Sequence, residues 1–253
     1  MTYNVNKAFG SGIMFMTPLG SAIAQPIRVG IMQDVSLDIS FDEKPLYGQT
    51  QWPYALARGK AKGACKAKFA QIDSLAMGQV FFGVTPVAGQ NQISDLEPYS
   101  VPASAAYTVQ VRNHTTFGTD EGVFYAATMQ PLQNAGTAAV STGTYSLNTS
   151  TGTYTFAAGD AAAALLFSYE WNDTTSGKKT AVTAQPMGTA TYFSVDLFEQ
   201  DPETGAQWGA RLYRCMSSKL NIATKQDDWT IPEFDFSIQA NAAGQVLDFN
   251  TPN

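Results

Sequence analysis

The sequence predicts a mainly β protein in which a small second β domain interrupts a larger one. Three observations predict it. The chain is 44% apolar and 14% charged, with 21 Gly and 12 Pro among 253 residues, and it is rich in Thr, Ala and Ser, a composition of many short strands joined by turns. Apolar and polar residues alternate with a period of two at several places, most clearly over residues 35–69, which is the spacing of a strand with two different faces. The composition also shifts near residue 100: between Phe69 and Gly177 the only basic residue is Arg112.

From the N-terminus, residues 7–24 imitate a secretion signal, with Lys7, an apolar stretch through Phe15 and Ala22-Ile23-Ala24 before Gln25. Gly10, Ser11, Gly12 and Pro18 interrupt that stretch, so it is read as an ordered N-terminal arm. A strand follows over residues 27–41, where Val35, Leu37, Ile39 and Phe41 alternate with Ser36, Asp38, Ser40 and Asp42. Residues 42–56 read as a long loop carrying Tyr47, Trp52 and Tyr54, rings that favour a partner surface over disorder. In the next strand Arg58, Lys60, Lys62, Lys66 and Lys68 alternate with small or apolar residues, so the period of two points all five one way. An acidic and a basic strand can pair across a hairpin or bind the complementary edge of a second subunit.

Asp73 is a natural N-cap for a helix over Ser74–Phe82, and Gly83 stands where a C′ residue would. Short strands are then expected at residues 107–111, 122–128, 144–147, 153–157 and 165–171, with a hairpin turn at residues 149–152. Their own aromatics (Phe117, Phe124, Tyr125, Tyr145, Tyr154, Phe156, Phe167, Tyr169 and Trp171) suggest a small Ig-like β-sandwich over residues 100–172 inside a host of residues 1–99 and 173–253. Host strands resume at residues 191–198, 208–215 and 234–239, with a short edge strand near residues 246–249.

Reaction chemistry is sparse. The only histidine, His114, reads as a turn residue, and no Gly-x-Ser-x-Gly elbow or Walker loop is present. Cys65 and Cys215 read as buried small hydrophobes. The pairs Asp42/Glu43, Asp120/Glu121 and Asp227/Asp228 read as solvated turn residues rather than catalytic carboxylates. The sequence therefore implies no enzyme, no cofactor and no metal. Its net charge of −6 opposes tight binding of a polyanion and would suit a wall that nucleic acid slides past. No apolar run approaches the length that spans a bilayer, so no membrane partner is expected.

The order of features resembles the tail tube (major tail) proteins of long-tailed bacteriophages. The likeness is carried by the apolar N-terminal arm, the strand Val35–Phe41, the Pro45-Leu46-Tyr47-Gly48-Gln49 stretch, and Ala57-Arg58-Gly59-Lys60-Ala61-Lys62-Gly63 running into Lys68-Phe69-Ala70-Gln71-Ile72 before one helix and late strands. The segments Gly122–Ala126, Gly143–Ser146 and Gly152–Ala158 are similar to insertions in some of them. The resemblance implies a two-sheet sandwich or partial barrel with one flanking helix, closing with copies of itself into hexameric rings that stack into the conduit for DNA ejection. It implies a virion location, in the tail, with assembly in the host cytoplasm. Implied partners are further copies, the terminator, tape measure and distal tail proteins, and DNA in transit without tight binding.

On that reading Asp38, Asp42, Tyr47, Trp52, Tyr54, Arg58, Lys60, Lys62, Lys66 and Lys68 are candidate assembly residues. Asp196, Glu199, Asp201, Glu203, Asp227, Asp228, Glu233 and Asp235 are candidates for an acidic lumen or ring-to-ring contacts. The alternative is a β-sandwich adhesion module whose inserted domain grips a glycan through exposed aromatics.

Overall fold

A computed structural model describes residues 10–20, 25–71 and 73–252. In chain order the strands are β1 (Ile13–Leu19), β2 (Ile27–Arg28), β3 (Met32–Tyr47), β4 (Pro53–Phe69) and β5 (Val87–Ser100). Then come β6 (Thr108–Gln110), β7 (Phe117–Tyr125), β8 (Gln133–Asn134), β9 (Thr144–Asn148), β10 (Thr153–Phe156) and β11 (Ala164–Lys179). The last four are β12 (Tyr192–Gln200), β13 (Gln207–Asn221), β14 (Glu233–Gln239) and β15 (Leu247–Asn250). The fold is mainly β, and all strand pairs are antiparallel except β8 with β9.

The chain divides into two compact units, Met1–Pro86 with Thr180–Asn253, and Val87–Lys179. The second unit is wider at each end than residues 100–172. The reason is β5, which pairs with β11 to its first residue, so that Val87 stands opposite Lys179 and the entering and leaving segments close on each other.

In the larger unit the strands join one eight-stranded sheet in the order β2-β1-β12-β13-β14-β4-β3, with β15 beside β13. Alternation puts Met14 and Met16, Phe193 and Val195, Phe234 and Phe236, and Cys65 and Ala67 on one face, all buried in a single core. The helix Ala76–Phe82 lays Ala76 and Val80 on that core. Asp73 accepts from the Leu75 N–H at 2.8 Å and so caps it as the sequence predicts. Gly83, at φ 68, ends it in the left-handed conformation and donates to the Gly78 carbonyl, one residue wider than an α-helical bond. Of the expected N-terminal arm, residues 13–19 form β1, buried by Met14, Met16 and Pro18. Residues 1–9 and 21–24, with Ala22-Ile23-Ala24, lie outside the described residues, as does Ile72.

The smaller unit is the expected sandwich. A four-stranded sheet (β6-β10-β9-β8) and a three-stranded one (β5-β11-β7) share a core of Val109, Tyr145, Tyr154 and Phe156 from one and Val123, Leu165, Phe167 and Tyr169 from the other. The β9–β10 hairpin turns at residues 149–152. Edge-to-face contacts, such as Tyr154 on Phe167 at 4.8 Å between centroids, lock the sheets together.

Candidate assembly surface

The acidic and basic strands do pair with each other. β3 and β4 form a hairpin whose register sets Asp34 opposite Lys68, Ser36 opposite Lys66 and Ser40 opposite Lys62. Lys68 Nζ lies 3.6 Å from an Asp34 carboxylate oxygen. The loop expected at residues 42–56 is mostly strand: β3 runs 16 residues and β4 17, leaving only residues 48–52 to turn the chain. Proline and glycine in that stretch suggested a loop, but both prolines stand where the ladder tolerates them, Pro45 in the edge strand β3 and Pro53 at the first position of β4.

β4 last pairs with β14 at Gly63, whose α-carbon lies under the Ile238 side chain so closely that a methyl group there would sit 3.1 Å from it. Beyond that point the hairpin is alone. From Ile39 to Lys62 every residue except Pro53 is exposed on both faces. At a rise of about 3.3 Å per residue, the eight steps from Ile39 to Tyr47 carry the tip roughly 25 Å from the sheet. Trp52 is 81% exposed, Tyr54 87% and Tyr47 61%, and Phe41, Leu46 and Leu56 are exposed with them. A two-stranded ribbon alone is marginal in water, and an apolar one without a cover is a surface built for contact.

One part of the sequence reading is corrected. The five basic side chains do not share a face. Phe41 pairs with Ala61 but Glu43 pairs with Arg58, so β4 holds one extra residue across Gly59-Lys60. This bulge turns the outer part of β4 over. Arg58 emerges beside Phe41, its guanidinium 4.7 Å from the ring centroid, while Lys62, Lys66 and Lys68 stay on the opposite face with Asp34 and Asp38.

The candidate acids are also distributed differently from the expectation. Across the sheet's outer face, cross-strand rows run Asp34–Lys68–Glu233–Asn221, Ser36–Lys66–Asp235–Lys219 and Asp196–Arg211–Asp248. Arg211 Nε is 3.6 Å from Asp196, and Lys219 Nζ is 3.9 Å from Glu233. With Arg28, which stands across Phe15 from Asp196, and with Asp38, Lys62 and Arg214, this face carries six acids and seven cations. It is balanced, not acidic. Asp201 is buried in the β12–β13 turn, where it accepts from the backbone N–H groups of Glu203 and Thr204. Glu199 stands opposite Trp208 near the end of β12, Asp228 binds Lys225 at 3.4 Å, and Asp227 is exposed beside it. The negative charge gathers elsewhere: Val87–Lys179 holds seven acids against three cations, the rest of the chain fourteen against twelve, so −4 and −2 of the total −6.

In the smaller unit Asp120 is not a solvated turn residue. It lies on β7 and accepts from Tyr145 at 2.5 Å and Tyr154 at 2.9 Å, while Tyr125 donates to the buried Asp160 at 2.5 Å and Tyr169 to Glu97 at 2.7 Å. Sequence spacing could not reveal this, because the partners lie 25 to 72 residues apart. Replacing Asp120 by Ala leaves two buried phenols without their acceptor and will destabilise the unit by roughly 2–6 kcal/mol in denaturant unfolding, at about 1–3 kcal/mol for each. Asp120→Asn, which keeps one acceptor oxygen, will lose about half as much.

Burial first, and then Asp120, push the Tyr145 and Tyr154 phenols above their ordinary value, and the bond to Asp160 with burial pushes Tyr125 up to about 12. A raised folded value means that these tyrosines stabilise the fold fully below about pH 10, their unfolded value. The contribution is lost as pH rises through the folded values. Alkaline titration will therefore show delayed tyrosinate absorbance that appears together with loss of β signal in circular dichroism.

Cys65 and Cys215 are free and buried, as the sequence predicts, and burial followed by the Asp235 charge pushes the Cys65 thiol up to about 12, far from a nucleophile. His114 lies in a short turn with Nδ1 3.1 Å from the Val111 carbonyl oxygen. Among the described residues no group of three or more His, Cys, Asp or Glu could hold a metal, and no helix is long and apolar enough to cross a membrane.

One surface escaped the sequence reading. A groove beside the helix is lined by Phe81, Phe82 and Val84, by residues of the 182–191 segment led by Val182, which is 53% exposed, and by residues 216–218 of β13. Its signal was the uncharged run between Lys179 and Asp196. No family model matches the sequence, and no curated protein matches it.

Proposed function

We propose that this chain is a structural subunit of a phage tail tube, which associates with its own copies into stacked, hexameric rings and conducts DNA without catalysing a reaction. The observation that carries the reading is the β3–β4 arm, a paired ribbon exposed on both faces and tipped with Tyr47, Trp52 and Tyr54. A single chain leaves such a ribbon wet, and a second copy covers it. The charge-balanced outer face of the sheet suits a wall that a polyanion passes without sticking, since affinity for nucleic acid grows with uncompensated cations.

In this role the subunit works in the virion tail after assembly in the host cytoplasm, beside terminator, tape measure and distal tail proteins. Gripping a glycan with the inserted unit draws no support from rings that are all buried or half-buried, Phe117 to Trp171 alike. Electron microscopy of the purified full chain, with sedimentation across a concentration series, tests the reading. Hollow rings or stacked tubes are expected. A chain that stays monomeric at every concentration overturns it.

A further inference from the structure

The arm tip and the groove beside the helix are matched in charge and in size. No charged residue lies between Lys44 and Arg58 in the tip, and none between Asp73 and Asp95 or between Lys179 and Asp196 in two of the groove walls; the third, residues 216–218, is uncharged and flanked by Arg214 and Lys219. Cores of protein interfaces are depleted in charge and enriched in aromatic rings. The groove encloses about 300 Å³, and a second hollow of about 320 Å³ shares Ala190 and Thr191 with it. That volume accepts a large ring and its neighbours. At 150–250 Å² for a whole ring, the exposed fractions of Tyr47, Trp52 and Tyr54 offer roughly 350–550 Å², about half of one partner's share of a standard interface.

We infer that the uncharged arm tip of one copy, led by Trp52, seats in the groove between the helix and residues 182–191 of the next copy. The inference rests on the self-assembly reading and names the surface that receives the arm. Donor and receiver are different patches, so the contact is head-to-tail and passes from copy to copy. Within one chain both stay open, Trp52 and Val182 alike.

The test places Gln51→Cys in the tip and Thr183→Cys in the groove wall, both exposed positions that leave Trp52 and Val182 in place, with Cys65 and Cys215 shielded by burial. A short bismaleimide applied to the assembled full chain will give a ladder of covalent multimers from the double variant and none from either single variant. Rings or tubes that form without a ladder overturn the docking site and leave self-assembly standing. An unassembled wild-type chain overturns the reading beneath it. Independently, Val182→Asp will raise the concentration needed for assembly at least about tenfold, by setting a charge in the contact. If the double variant fails to assemble, this measurement decides, and unchanged assembly of Val182→Asp overturns the site.

Discussion

A chain in which residues 42–60 are replaced by Asn-Gly will fold and remain monomeric. The exchange is geometrically simple because Phe41 and Ala61 are directly opposed, and a two-residue type I′ turn joins such a pair. The lost segment gives nothing to the core, whose nearest members are Val35 and Leu37 on β3 and Cys65 on β4. Stability will change by about 1 kcal/mol or less, as for other exposed sites. Assembly will be lost altogether, because the deleted segment holds Tyr47, Trp52, Tyr54 and the apolar residues around them. Sedimentation reads the oligomeric state and thermal unfolding reads the fold. A truncated chain that still forms rings would remove the arm from the assembly mechanism.

Excision of Val87–Lys179 will give two proteins that each fold. Val87 and Lys179 are paired neighbours, so Pro86 and Thr180 can be joined by a short Gly-Ser linker without stretching the chain. The excised module keeps both of its sheets and its own aromatic core. The remaining chain keeps the eight-stranded sheet, the helix and the whole of their core. Cooperative unfolding is expected of each piece, with the host's Tm within about 4 °C of its value in the full chain, the shift expected from a change of roughly 1 kcal/mol. The host piece will also assemble, since arm and groove both belong to it.

Much of this architecture was legible because β alternation survives in short windows. Tyr192 to Phe198 and Phe234 to Ile238 each state their buried face in the residues themselves, and Val35 to Phe41 does so for Val35 and Leu37, while Ile39 and Phe41 continue the same alternation out into the exposed arm. The helix was legible from its ends, Asp73 and Gly83. β5 was not, since Gln90, Asn91, Gln92 and Ser94 are poor strand formers held by pairing with β11 some eighty residues away. The arm was half legible. Its rings announced a contact surface, but the ladder carrying them depends on partners across the hairpin, and one extra residue in β4 moved Arg58 to the other side. The acids of β12 and β14 looked like a cluster along the chain and became alternating rows once their basic neighbours were brought alongside.

That extra residue reverses the alternation of β4 alone, since β3 runs through Phe41 and Glu43 without interruption. Inward of Gly59-Lys60 the lysines share a side with Asp34 and Asp38; outward of it the same alternation presents Leu56 and Tyr54 under the continuation of Phe41. Removing one residue from β4 there would straighten the ribbon and leave every outer pair on its present side, because β3 fixes those sides; the bulge therefore sets the direction in which the tip reaches and not which rings it shows.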